Sequence, residues 1–205
     1  MKITANENQI AILKNKKLSI YENSKLVKKI DSQAINLKFL NNILYLIYKD
    51  KIEPNIEIEL ENIVDFQLIE QDIFIARDNK IYKNEKLFFE NESKIESITE
   101  LSNELYVLDE KSLWHFENSK KMLDLEIGGN AIIAGLGKCG NFRVFIAESK
   151  NLSVFDPFTK EIKTITTLDN EIVDISKFEC NIYLITKNDT FIFDLQTFEL
   201  EKIIT

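Results

Sequence analysis

The residues of this chain whose side chains could do chemistry are few. The single histidine, His115, stands between Trp114 and Phe116 in an apolar-polar-apolar run. No serine or cysteine context recommends it as a general base, so its expected role is structural. Cys139 and Cys180 are too few for a disulfide framework, and with His115 they lack the spacing of a zinc site. All five glycines fall between Gly128 and Gly140. Within that stretch, Gly135-Leu136-Gly137-Lys138-Cys139-Gly140 has the outline of a phosphate-cradling loop. It fails the test, because no Ser or Thr follows Lys138 and Phe142 to Ala147 reads as a strand where a helix is required. Gly128, Gly129, Gly135, Gly137 and Lys138 are kept as candidate binding residues, since small residues let a backbone come close to a ligand or partner.

Carboxylates give two further candidates. Glu57, Glu59 and Glu61 alternate with Ile58 and Leu60, which puts three acids on one face of a strand. The expected setting is a solvent-facing outer strand, protected by its charge from edge-to-edge pairing. The sharper reading is an acidic stripe that meets a basic partner. Asp65 and Asp174 occupy equivalent places in two similar phrases, Ile63-Val64-Asp65-Phe66 and Ile172-Val173-Asp174-Ile175. Repetition favours a structural role, because a single active site needs only one of them.

What must position these residues is a repeat. Tyr45, Phe74, Tyr106, Phe145 and Tyr183 each sit inside a short branched apolar run, and Ala11 in Ile10-Ala11-Ile12-Leu13 is a sixth member; the steps are 34, 29, 32, 39 and 38 residues. Such a period marks a repeat architecture. First strands are expected near Ile3, Ile35, Ile63, Ile95, Ile132 and Ile172, with three more after each. Asn and Asp pairs such as Asn41-Asn42 and Asp78-Asn79 supply the turns. No amphipathic helix is evident. The predicted fold is all-β and propeller-like, a single domain over 1–205 of about six short four-stranded antiparallel blades, either closed or left as an incomplete ring; an irregular β-sandwich is the alternative. About 34 residues per blade is below the usual ~40–45, so loops must be minimal or a partner must close the ring.

The stretches Val154-Phe155-Asp156-Pro157-Phe158-Thr159-Lys160-Glu161 and Ile192-Phe193-Asp194-Leu195-Gln196-Thr197-Phe198-Glu199 share Phe-Asp-x-x-Thr-x-Glu. They resemble the third-strand ending and following hairpin of WD40-like and quinoprotein-like β-propellers. The Gly-His pair of the WD40 family is absent. Its Trp-Asp dipeptide is replaced by Phe155-Asp156, Phe193-Asp194, Tyr21-Glu22 and Phe116-Glu117. The resemblance therefore implies a highly diverged propeller.

Composition bounds the function. The 31 Ile, 20 Asn and 24 Lys against 2 Arg are read as the mark of AT-rich coding. A net charge of -8 argues against nucleic acid and anionic membranes as partners. No stretch has the length and apolarity of a membrane span, and the N-terminus lacks the apolar core of a signal peptide, so a cytoplasmic location is expected. The functional expectation is a non-catalytic protein-protein interaction or scaffolding module in a larger complex, with no cofactor, and with self-association if the ring is open. The rival is a ligand- or metal-binding, even hydrolytic, propeller with Asp65 and Asp174 at the axis.

Overall fold

The computed structural model describes residues 1–54, 56, 61–117, 119–135 and 139–204, the last of these in its backbone alone. Its strands form six sheets in chain order. Blade 1 is β1 (Lys2–Ala5), β2 (Ile10–Lys14), β3 (Lys17–Glu22) and β4 (Lys25–Asp31). Blade 2 is β5 (Asn36–Leu40), β6 (Ile43–Ile47) and β7 (Ile52–Glu53); the expected fourth strand over Ile56 to Glu61 falls mostly outside the described residues. Blade 3 is β8 (Ile63–Ile69), β9 (Asp72–Arg77), β10 (Lys80–Lys83) and β11 (Lys86–Glu90). Blade 4 is β12 (Ile95–Leu101), β13 (Glu104–Asp109), β14 (Leu113–Glu117) and β15 (Lys120–Leu125). Blade 5 is β16 (Ala131–Gly135), β17 (Arg143–Glu148), β18 (Asn151–Asp156) and β19 (Glu161–Thr167). Blade 6 is β20 (Ile172–Phe178), β21 (Asn181–Thr186), β22 (Thr190–Asp194) and β23 (Leu200–Ile204). Every pairing is between antiparallel neighbours in sequence, and no helix occurs among the described residues.

The turns explain the short repeat. Asn15-Lys16, Asn23-Ser24, Asn41-Asn42, Asn84-Glu85 and Ser102-Asn103 all have positive φ at both residues. That is the conformation of a type I′ hairpin, whose twist matches the flanking strands, and Asn tolerates it best after glycine. Two residues per turn keep the loops minimal. They also give part of the asparagine content a structural use.

Alternation along the strands builds the core. In blade 4, Leu105, Val107, Trp114 and Phe116 join Phe74, Ala76 and Ile81 of blade 3. The intervening Tyr106, Leu108 and Leu113 join Ile132, Val144, Ile146 and Phe155 of blade 5. Each sheet is thus apolar on both faces and cannot stand alone in water. The core is six slabs, one per blade interface. The slab of Ile3, Ala5, Ile10 and Ile12 with Tyr183 and Ile185 joins blade 6 to blade 1, so the ring is closed. No strand is exchanged between the first and last blades. The aromatics of the repeat phrase hold one place, the second strand of each blade, opposite the residue that faces the axis.

Candidate functional site

The inner strand of a blade is a sheet edge, and its free N–H and C=O groups need partners. Pair register places two tiers of residues around the axis. Lys2, Asn36, Asp65, Ser97, Ala131 and Asp174 form one; Thr4, Lys38, Gln67, Thr99, Ile133 and Ser176 form the other. All of them except Ala131 line a central cavity of about 190 Å³. Side chains of these tiers staple five of the six blade interfaces. Thr4 Oγ1 accepts from Phe39 N at 2.9 Å, and Asn36 Nδ2 donates to Val64 O at 3.1 Å. Asp65 Oδ2 accepts from Ile98 N at 3.0 Å, and Thr99 Oγ1 from Ala134 N at 3.1 Å. At the closing interface, Asp174 Oδ2 accepts from Ile3 N at 2.9 Å and Ser176 Oγ from Ala5 N at 3.1 Å. Between blades 5 and 6 the staple comes from the preceding turn, where Asn130 Nδ2 donates to Ile172 O at 2.7 Å.

Asp65 and Asp174 therefore do reach the axis, but their oxygens are occupied. Lys38 Nζ lies 2.9 Å from Asp65 Oδ1 and also donates to Phe66 O and Ile98 O, so one ammonium ties three blades together. Lys2 Nζ lies 3.5 Å from Asp174 Oδ1. Burial pushes the Asp174 carboxyl up, against the pull of Lys2 and the Ile3 amide, and Asp65 adds to the rise. Burial works to lower the Lys2 ammonium, but Asp174 and Asp65 outweigh it and hold it above its ordinary value. Two carboxylates matched by two ammoniums make a neutral, bonded hub. The two tiers were not legible as such in the sequence, because Lys2 stands where other copies carry Asn, Asp, Ser or Ala, and Lys38 where they carry Thr, Gln, Ile or Ser.

The other sequence candidates scatter. Gly137, Lys138, Glu57 and Glu59 lie outside the described residues. Glu61 is exposed in the turn before β8. Gly128 and Gly129 lie in the turn before β16, and Gly135 ends that strand. A Cβ on Gly128 would collide with Glu110 O, and one on Gly135 with Gly140 O, so these positions serve close backbone packing. Cys139 and Cys180 form one disulfide, with Cα atoms 4.9 Å apart; it joins the β16–β17 turn to the β20–β21 turn. Their count gave no framework, and the single bond is a clamp between neighbouring blades.

His115 is the candidate that gains most. It pairs across strands with Tyr106, whose ring it stacks on at 5.1 Å. Its Nδ1 meets Asp124 Oδ2 at 2.6 Å, and Lys160 Nζ reaches across from blade 5 to Asp124 Oδ1 at 2.5 Å. The Asp124 side chain is fully buried. Burial raises the Tyr106 hydroxyl, Asp124 and Glu104 raise it further, and the group stays neutral. Tyr106 and His115 line a groove of about 350 Å³ whose walls include Glu104, Glu117, Phe142, Pro157, Phe158 and Lys160. It opens on the end of the ring formed by the first and third hairpin turns of each blade. On that same end, Phe142, Phe158 and Phe198 stand 51, 76 and 65% exposed on turns of blades 5 and 6, beside the disulfide. Sequence reasoning passed over Asp124, Lys160 and these phenylalanines, because turn and outer-strand residues vary freely between copies.

No protein-family model matches the chain, and no curated protein matches it by sequence. Solved structures do. The extracellular domain of a putative one-component system from B. thetaiotaomicron superposes on 99% of the chain with a TM-score of 0.67 at 17% identity, using 33% of its own length. PorZ, a surface component of the type-IX secretion system of Porphyromonas gingivalis, covers 100% of the chain with a TM-score of 0.62 at 10% identity, using 32% of its length. Hsv2 of Kluyveromyces lactis covers 95% with a TM-score of 0.58 at 13% identity, using 73% of its length. The chain spans about a third of the length of the first two. At these identities the likeness is one of fold.

Proposed function

We propose that this propeller is a non-catalytic protein-interaction module, and that it binds through the end of the ring carrying the turns of blades 5 and 6. One observation carries the reading: Phe142, Phe158 and Phe198 are exposed on turns at one end of blades 5 and 6, Phe142 and Phe158 with ring centroids 6.2 Å apart, and the turn that bears Phe142 is clamped to blade 6 by the disulfide. Isolated exposed apolar residues are ordinary, but a cluster of rings on rigid turns is the kind of surface that partners bury. Two of the solved relatives are an extracellular domain and a secretion-system surface component, which supports the same class of role. The axial carboxylates add no support to the metal-binding rival, because Lys2, Lys38 and backbone amides occupy them. The disulfide favours an oxidising compartment over the cytoplasm. Thiol titration of the protein from its native source decides between the two.

A photo-crosslinking residue at position 158, with position 187 on the opposite end of blade 6 as control, tests the reading in native cells. A discrete protein adduct at 158 and none at 187 is expected. Changing Phe142, Phe158 and Phe198 to Ser together removes the partner without altering Tm. Equal adducts at both positions, or none at either, overturn the proposal.

A further inference from the structure

The groove between blades 4 and 5 breaks the repeat at two neighbouring places. Opposite the second-strand aromatic position, blades 1, 5 and 6 carry Ile20, Val154 and Ile192 on the third strand; blade 3 carries Lys83, and blade 4 carries His115. The outer strand has a one-residue bulge, and its extra residue is Phe88, Ile165 and Ile203 in blades 3, 5 and 6; in blade 4 it is Asp124. Bulges re-aim a side chain, and here the re-aimed group is a fully buried carboxylate held by His115 and Lys160. Polar groups placed against the pattern of their own fold mark functional sites.

The hydrogen bonds say what the site can accept. Asp124 can only accept when ionised, so the proton of their bond belongs to His115 Nδ1, and in the neutral ring Nε2 is then an acceptor. No hydrogen bond engages Nε2 or the Tyr106 hydroxyl among the described residues, although the two residues are only 8% and 3% exposed. Among the described residues no buried side-chain polar atom goes unpaired, so both of these atoms open into the groove they line. Lys160 is already engaged by Asp124 and does not offer a free cation. Glu104 and Glu117 flank the groove, and no ion pair engages either among the described residues. The opposite wall is Phe142, Pro157 and Phe158, with the two phenyl rings 6.2 Å apart and edge to face.

Inner acceptors, uncompensated carboxylates and aromatic faces together call for a planar cation with several donors. We propose that the groove is a socket for an arginine side chain of the protein partner, a proposal that rests on the interaction-module reading above. The guanidinium donates to His115 Nε2 and the Tyr106 hydroxyl oxygen, stacks on Phe142 or Phe158, and pairs with Glu104 and Glu117. The chain's net charge of -8 favours a basic partner segment.

The probe is the tripeptide acetyl-Gly-Arg-Gly-amide, with its citrulline counterpart as the neutral isostere, titrated into the full chain and followed by amide NMR shifts. Expected are shifts centred on Tyr106, His115, Phe142 and Phe158, with the citrulline peptide binding about 10-fold more weakly. The double variant Glu104→Gln, Glu117→Gln weakens the arginine peptide by a similar factor at unchanged Tm. Phe158→Ala, a change of an exposed ring, weakens it independently. Equal binding of the two peptides, shifts centred elsewhere, or no shifts up to the solubility of the probe overturn the proposal. If the tripeptide fails while a protein still crosslinks at position 158, the module reading stands and the socket falls. If the tripeptide binds but nothing crosslinks, the groove is an arginine site without a protein partner and the module reading falls.

Discussion

At the residue scale, single polar side chains do work that the apolar slabs cannot, because they answer backbone groups left open at strand ends and edges. Asp109 ends β13 and accepts from Asn91 Nδ2 at 2.7 Å, from Trp114 Nε1 at 3.0 Å and from the amides of Lys111 and Ser112 at 2.8 Å. It thereby ties the connection after blade 3 to two strands of blade 4. Burial works against its charge, but these donors outweigh it and hold the carboxyl below its ordinary 3.8. A carboxyl depressed by folding adds stability above its unfolded value and loses it as pH falls through the folded one. Asp109→Ala should therefore cost about 3 kcal/mol near neutral pH, since a charged acceptor is removed and buried donors are left unpaired. Urea unfolding should show the gap to wild type narrowing below about pH 4. A gap independent of pH would mean that the residue contributes shape alone. Recurrence made Asp65 and Asp174 legible as structural. Which amides they serve was not legible, because the partners Ile98 and Ile3 lie 33 and 171 residues away.

At the element scale, period-two alternation and Asn turns made the strands readable; the first strands expected near Ile63 and Ile172 stand where their pattern put them, in β8 and β20. The outer-strand bulges escaped, since an extra residue shifts register without changing composition. The Cys139–Cys180 bond escaped as well, because a separation of 41 residues carries no local signal. Its effect on stability is calculable. Closing a loop of that length removes entropy from the unfolded chain worth about 4 kcal/mol at most. The bond joins the β16–β17 and β20–β21 turns, so it reinforces the slab built from Phe145, Leu152, Ile172, Ile182 and Phe193. Reduction, or Cys139→Ser with Cys180→Ser, should lower Tm by several degrees and raise hydrogen exchange in β16 and β20 before the rest. Unchanged Tm and exchange would show that the packed slab alone fixes the two blades.

At the scale of the whole molecule, the repeat predicts a ring in which no interface is special, and the closing interface is where that idea is most exposed. Blades 6 and 1 meet as four of the other interfaces do, through an apolar slab and inner-strand staples, here Asp174 to Ile3 and Ser176 to Ala5. No covalent chain crosses this interface and no strand is swapped over it. Elsewhere the outer strand reaches the next inner strand through short connections, as from Glu90 to Ile95 or Thr167 to Ile172. A link of about four or five residues from the end of β23 to the start of β1 matches those connections, and a new opening between the exposed Asp169 and Asn170 cuts no strand. The circular permutant that begins at Asn170 should fold to the same ring, with Tm within about 3 °C of wild type, because each interface is a nearest-neighbour contact that does not depend on chain order. Calorimetry of the two forms gives the answer. A permutant that fails to fold would mean that blades 5 and 6 must be joined in sequence before the ring can close, and the six interfaces would not be equivalent.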